Sequence, residues 1–176
     1  MYTFRGVFAL TAAAALTLGI TMLAPAAHAD DPLLISCSGT GHQTYDPGLK
    51  LTAGPTLITA DGSYSCLGGG AVTGSDFGFH YTVQAGCLLT PPVTTGTTTI
   101  TWNSGPPSTV TATIAVTRPV GQTIATTVGT VTAGQFLGYT VNQTAVYPAL
   151  DLVQCATDQG VTSSNGTVVL TLAHPL

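Results

Sequence analysis

The sequence of 176 residues carries very little charge. It has no Glu, seven Asp and three Lys or Arg, and only Lys50 and Arg118 are basic after position 29. Two cations cannot neutralise a run of phosphates, so nucleic-acid binding by the usual electrostatic contacts is excluded. Long helices and coiled coils are excluded too, because they need Ala, Glu, Lys, Leu and Arg at helical spacing, whereas Thr, Val and Gly dominate here.

Groups that commonly act in catalysis are also scarce. After residue 29 there are three His, at positions 42, 80 and 174, and they form no recognised motif. Ser75, Asp76 and His80 supply the residue types of a hydrolytic triad, but there is no Gly-x-Ser-x-Gly elbow, and strand alternation places His80 on the solvent face. Because an enzyme must gather groups whose pKa values are tuned by their neighbours, we expect a protein without catalytic activity.

Metal and cofactor sites are not predicted either. Asp46, Asp61, Asp76 and Asp158 stand beside Gly, Pro, Ser or Gln, which is typical of turns, where Asp bonds nearby backbone. Their spacing is too sparse for a calcium loop, and no Cys-x-x-Cys pair indicates zinc. We therefore expect no catalytic, cofactor-binding or metal site and no cofactor.

The first 29 residues have the pattern of an export signal. Arg5 precedes an apolar run over 7–23, followed by Pro25 and the sequence Ala27-His28-Ala29. A positive start, an apolar centre and small residues at the cleavage site are typical of a secretory signal peptide. We predict cleavage after Ala29, release of residues 30–176 as a single secreted domain, and no stable membrane insertion after cleavage.

Four Cys lie in the predicted exported part. An even number in an oxidising compartment indicates two disulfides. Three pairings are possible. If the strands ending near Cys37 and Cys66 run antiparallel, these two residues fall nearly opposite each other, which favours Cys37 with Cys66 and Cys87 with Cys155.

Period-two alternation predicts strands over much of the chain. It is clearest in 79–85, 98–102, 108–117 and 123–131, and further strands are expected at 33–37, 56–66, 140–147, 150–155 and 166–173. Eight or nine short strands with Gly, Pro and Asn between them indicate an all-β fold. We expect an antiparallel β-sandwich of immunoglobulin-like architecture, with a β-barrel as the alternative.

These features favour a secreted, non-catalytic binding or structural module. Its expected partner is an extracellular protein or a glycan. Trp102 is predicted to pack in the core, in phase with Ile100, although the Tyr side chains would stack on sugar rings if they shared an exposed face. An alternative function is protease inhibition, in which Leu88-Leu89-Thr90-Pro91-Pro92 beside Cys87 would form a rigid exposed loop. A hydrolase is a third, less favoured function.

Several segments together resemble a family of small secreted actinobacterial proteins that has no assigned activity. The resemblance implies export and a shared β fold with disulfides, and it supplies no functional residues. The segments span most of residues 30–176: Cys37-Ser38-Gly39, 44–49, Tyr64-Ser65-Cys66, 102–105 with Ser108-Thr109, 129–131 with Gly134 and Phe136, and 155–157 with Gly160-Val161.

Overall fold

The computed structural model describes residues 34–174, most of which lie in strands. Alternation of apolar and polar residues produces these strands, because successive side chains in an extended chain point to opposite faces. The elements are β1 (Leu34–Leu49), β2 (Gly54–Gly69), β3 (Val72–Ala85), β4 (Thr94–Trp102), β5 (Ser108–Thr117), β6 (Gln122–Gly134), β7 (Thr140–Pro148), α1 (Leu152–Cys155) and β8 (Val161–Ala173).

The strands form a closed antiparallel barrel. Each strand pairs with the next along the chain, and β8 pairs with β1 from Leu34 opposite Ala173 onwards. The expected sandwich is therefore wrong, and the alternative, a barrel, is correct. Both architectures have one buried and one exposed face on every strand, so alternation alone does not distinguish them. The pairing of the first strand with the last decides between them.

Some predicted local structures are also corrected. The strand predicted at 150–155 is instead the one-turn helix α1, because Asp151 caps it: Oδ1 accepts hydrogen bonds from the amides of Val153 at 2.9 Å and Gln154 at 3.3 Å. The strand predicted at 33–37 continues to Leu49 as β1. Turns were predicted at Asp46, Asp61 and Asp76, which instead lie within β1, β2 and β3.

Two disulfides cross-link the barrel with the pairing that the sequence favoured. Cys37 and Cys66 are directly opposite each other in the β1–β2 ladder. Cys87, just after β3, is joined to Cys155 at the end of α1. The described residues contain no free Cys. The second disulfide fixes the connection between β3 and β4, which borders the candidate site.

Side chains of the inner faces fill much of the barrel. One cluster includes Trp102, Tyr64 and Phe77, and a second, smaller cluster includes Leu49 and both Cys of the second disulfide. Bulky rings fit because they pack against glycine residues, which have no side chain. A Cβ on Gly62, for example, would overlap the ring of Phe77 and the carbonyl oxygen of Thr40.

Four connections gather at one end of the barrel, because antiparallel strands alternate in direction. They are 50–53, 86–93, 118–121 and 149–160, and we call this the Cys87 end. The predicted export signal at 1–29 lies outside the described residues. Within residues 34–174, no helix is long and apolar enough to cross a membrane.

Candidate functional site

The wall of the barrel is incomplete between β3 and β4. In the described structure these strands pair over four positions only, from Ser75 opposite Trp102 to Gly78 opposite Thr99. Beyond Gly78, residues 79–85 of β3 pair with β2 alone, and residues 94–98 of β4 pair with β5 alone. We call the opening between 79–85 and 94–98 the β3–β4 gap.

Local sequence accounts for the end of this ladder. The hydroxyl of Thr98 donates a hydrogen bond of 3.0 Å to the carbonyl oxygen of Gly78. At the point where the strands separate, this carbonyl therefore accepts from a side chain. Pro91 and Pro92 precede β4 and have no N–H with which to extend the ladder. The strands therefore diverge towards the Cys87 end.

A stack of aromatic rings borders the gap. Alternation along β3 places Phe77, Phe79 and Tyr81 on the inner face. The ring centroids are 5.1 Å apart between Tyr64 and Phe77, 6.2 Å between Phe77 and Phe79, and 5.9 Å between Phe79 and Tyr81. Phe77 is buried, whereas Phe79 and Tyr81 are half-buried. The stack thus leads from the core to an accessible apolar surface.

Behind the gap lies a narrow cavity. The cavity is small, about 50 Å³ in volume. Such a space suits a methylene chain or one flat ring rather than a bulky molecule. Apolar side chains in its lining include Phe77, Phe79, Ile100, Val110, Ile114 and Val141. Polar lining residues are His80, Thr127, Gln143 and four Thr of β4, at positions 94, 95, 97 and 98.

Two buried Gln side chains give the interior a sparse polar network. The hydroxyl of Tyr45 donates to Gln43 Oε1 at 2.9 Å, and that of Tyr64 donates to Gln143 Oε1 at 2.8 Å. Burial raises the pKa of Tyr45 and Tyr64 well above the ordinary value, and it raises that of Tyr147 to about 12. These hydroxyls are therefore protonated at neutral pH and act as neutral hydrogen-bond donors.

Arg118 lies at the Cys87 end, next to the aromatic stack. Its Nη1 donates to three carbonyl oxygens of the β3–β4 connection, at 2.6 Å to Gly86, 3.1 Å to Cys87 and 2.9 Å to Leu89. Burial lowers the pKa of Arg118, and the nearby Tyr45 and Tyr81 oppose that shift. The side chain holds the connection in place and brings a positive charge close to Tyr81.

Comparison with protein-family models gives no match, and comparisons with curated proteins and with solved structures give no significant match. The geometry of the β3–β4 gap is therefore the principal evidence for a function.

The residues considered for a triad do not come together. Ser75 is buried on the inner face of β3, whereas Asp76 and His80 are exposed on the outer face. Asp76 and His80 are four positions apart along the strand, a distance of about 13 Å. His80 reaches the edge of the gap but has no triad partners there.

The segment predicted as an inhibitory loop, 88–92, is exposed except at Pro91 and is anchored at its start. Leu88 and Leu89 are 71% and 43% exposed. The disulfide at Cys87 and the three hydrogen bonds from Arg118 fix its start. The sequence indicated the disulfide, but the contribution of Arg118 was missed because its partners are backbone groups about thirty residues away.

A second depression lies on the outer face of the barrel. His42 Nδ1 is 3.5 Å from Asp61 Oδ1, and Asp76 and Asn165 line the same shallow groove. The groove is about 600 Å³ in volume. The side chains of His42 and Asp61 are 41% and 62% exposed, so water screens their attraction. In residues 34–174 no three His, Cys, Asp or Glu side chains gather to hold a metal ion.

Most aromatic residues considered for sugar stacking are inside the barrel. Tyr45, Tyr64, Tyr139 and Tyr147 are buried, and Trp102 is buried as its alternation with Ile100 predicted. Trp102 Nε1 donates to the hydroxyl of Ser108 at 2.7 Å. The sequence prediction did not include the β3–β4 gap. The sequence feature that could have indicated the gap is the alternation of Phe77, Phe79 and Tyr81 ahead of a Pro-rich connection.

Proposed function

We propose that this chain is a secreted, non-catalytic binding protein whose barrel takes a small, elongated apolar ligand at the β3–β4 gap. The supporting observation is that the ladder ends at Gly78 and Thr99, so an otherwise closed wall opens beside the rings of Phe79 and Tyr81. Ligand sites in barrels of this size are mostly apolar, and most of the surface that lines this cavity is apolar too.

The chemistry of the lining supports binding rather than catalysis. Among the residues that line the cavity, His80 and Tyr81 are the ones with titratable side chains. His80 is exposed on the outer face, and burial raises the pKa of Tyr81, which keeps its hydroxyl neutral. Binding of a hydrocarbon group needs none of these groups to transfer a proton, because burial of apolar surface is sufficient.

Gly96 provides a direct test of the site. It lines the cavity, and a Cβ built at this position meets nothing within 4 Å. Gly96→Leu should therefore fill the opening without disturbing the wall. Gly78→Leu is the matched control: Gly78 also has nothing within 4 Å, but alternation from Phe77 places it on the outer face.

The assay is titration with 1-decanol, a neutral ligand with a single methylene chain, followed by isothermal titration calorimetry. We expect the wild-type protein and Gly78→Leu to bind alike. Gly96→Leu should bind about tenfold more weakly, since a Leu side chain displaces ligand contacts equal to roughly two methylene groups. Lack of binding by wild type, or equal binding by both variants, would contradict the proposal.

Protease inhibition is a second candidate, favoured by the anchored loop at Leu88 and Leu89. Pre-organisation of an exposed apolar loop lowers the entropy lost on binding. If the loop enters the specificity site of a chymotrypsin-like or subtilisin-like enzyme, the protein should inhibit it stoichiometrically. Leu89→Asp should abolish that inhibition, whereas Val169→Asp, an exposed change on β8, should not. Unchanged protease activity would exclude this function for those enzymes.

Export is part of the proposal and has its own test. The mature chain recovered from culture medium should begin at Asp30, as the Ala27-His28-Ala29 pattern predicts. Protein that retains Met1 in the membrane fraction would be inconsistent with release.

A further inference from the structure

Arg118 continues the inner face of β5 beyond the cavity. Val110, Ala112 and Ile114 line the cavity at alternate positions, and Val116 and Arg118 follow in the same phase. Burial lowers the pKa of Arg118, and electrostatic interactions with Tyr45 and Tyr81 oppose that shift. An apolar chain in the cavity that extends along β5 towards the Cys87 end therefore approaches Arg118.

The hydrogen bonds of this guanidinium are one-sided. Within the described residues all three leave from Nη1, while Nε is buried and has no hydrogen-bond partner. Among residues 34–174, the ion pair is the one between His42 and Asp61. Arg118 therefore has no carboxylate partner among the described residues. The N–H of Nε is thus unpaired, although protein atoms cover it in the described structure. The Nε side of a guanidinium is suited to a planar two-oxygen acceptor.

A second buried polar atom belongs to Thr123 on the neighbouring strand β6. Thr117 pairs with Ile124 at the end of the β5–β6 ladder, and the same register, extended by one pair, would place Thr123 opposite Arg118. Thr123 is 7% exposed, and its Oγ1 is buried without a hydrogen-bond partner. Buried polar atoms normally have partners, and a hydroxyl together with Nε can both donate to one anion.

Building on the proposed function, we propose that the ligand is an amphiphile with a carboxylate head: its hydrocarbon chain occupies the β3–β4 gap and its carboxylate binds between Arg118 Nε and Thr123 Oγ1. The carboxylate would complete the hydrogen bonds of both groups and neutralise Arg118. Tyr81 links the two parts of the site, because it belongs to the aromatic stack and also lies near the guanidinium.

The experiment compares decanoate with 1-decanol at pH 8 by isothermal titration calorimetry. The two ligands have the same chain length and differ in the charge and shape of the head. We expect wild type to bind decanoate about tenfold more tightly than 1-decanol, the size of effect typical of one charge-assisted hydrogen bond. Arg118→Gln should bring the two affinities together by weakening decanoate and leaving 1-decanol unchanged.

Two further variants distinguish loss of carboxylate binding from loosening of the 86–89 segment, which Arg118 also holds. Arg118→Lys keeps the charge but loses the planar fork, so the preference for decanoate should fall only in part. Thr123→Val keeps the shape and should reduce that preference without affecting the hydrogen bonds from Arg118 to the 86–89 segment.

The outcomes distinguish the two proposals. Equal binding of decanoate and 1-decanol by wild type would overturn the carboxylate inference and leave the apolar site intact. Binding of neither ligand would contradict the proposed function as well. A preference for decanoate that persists in both Arg118→Gln and Thr123→Val would show that the carboxylate binds elsewhere, and would also overturn the inference.

Discussion

Ser108→Ala should destabilise the barrel by removing one hydroxyl that serves two buried groups. Ser108 is completely buried at the start of β5. It accepts the hydrogen bond from Trp102 Nε1 at 2.7 Å and donates to the carbonyl oxygen of Gln135. The substitution leaves a buried indole donor and a carbonyl acceptor unpaired at the same time.

The expected loss follows from these two bonds. An unpaired buried donor costs about 1 to 3 kcal/mol, and loss of a second neutral bond adds about 0.5 to 1.5 kcal/mol. The free energy of unfolding should therefore fall by roughly 2 to 4 kcal/mol, a large part of the 5 to 15 kcal/mol typical of a domain. With a urea slope near 2 kcal/mol per molar, the midpoint should fall by about 1 to 2 M.

Equilibrium unfolding in urea, followed by tryptophan fluorescence, measures this directly. The chain has one Trp, so the signal comes from the residue whose hydrogen bond is lost. Ser38→Ala on the outer face of β1 is the control and should shift the midpoint little, because Ser38 is exposed. A midpoint for Ser108→Ala within the range of Ser38→Ala would refute the reasoning that these buried hydrogen bonds stabilise the fold.

Three further predictions concern the wall and its cross-links. Replacement of Cys37 and Cys66 together by Ala should lower the free energy of unfolding by about 2 to 5 kcal/mol, measured by urea unfolding against wild type; an unchanged midpoint would argue against it. Burial raises the pKa of Tyr147 to about 12, so its contribution to stability should be complete below pH 10 and lost between pH 10 and 12. The difference in absorbance at 295 nm between wild type and Tyr147→Phe reports this residue alone. It should show the ionisation delayed until the protein unfolds, and free titration of that difference near pH 10 would oppose the prediction. Gly62→Ala should destabilise the barrel, because its Cβ would overlap a ring and a backbone carbonyl, whereas Gly78→Ala should not; thermal melts that agree for both variants would contradict this.

The all-β class and most strands could be read from the sequence because each depends on local alternation. The pattern through Ile100, Trp102 and Val110 correctly placed these residues inside. Alternation fails where a capping side chain intervenes, and Asp151 converts the predicted strand at 150–155 into the one-turn helix. It also cannot show how far a strand continues, so β1 was predicted to end at Cys37 instead of Leu49.

The disulfide pairing was favoured by a near-local argument. Cys37 and Cys66 are on strands joined by one connection, and the predicted antiparallel arrangement brings them opposite each other. Elimination then leaves Cys87 with Cys155, which the structure also joins. The disulfide pairing could therefore be predicted from the sequence once the strand positions were assigned.

Closure and the candidate site were decided only by tertiary structure. The pairing of β1 with β8 joins positions more than one hundred residues apart, and side-chain alternation is the same whether or not that pairing forms. The gap at Gly78 and the three carbonyl acceptors of Arg118 likewise depend on distant segments. Sequence alone determined which faces are apolar, because that property belongs to each strand. Which strands meet, and where the wall opens, depends on contacts between strands.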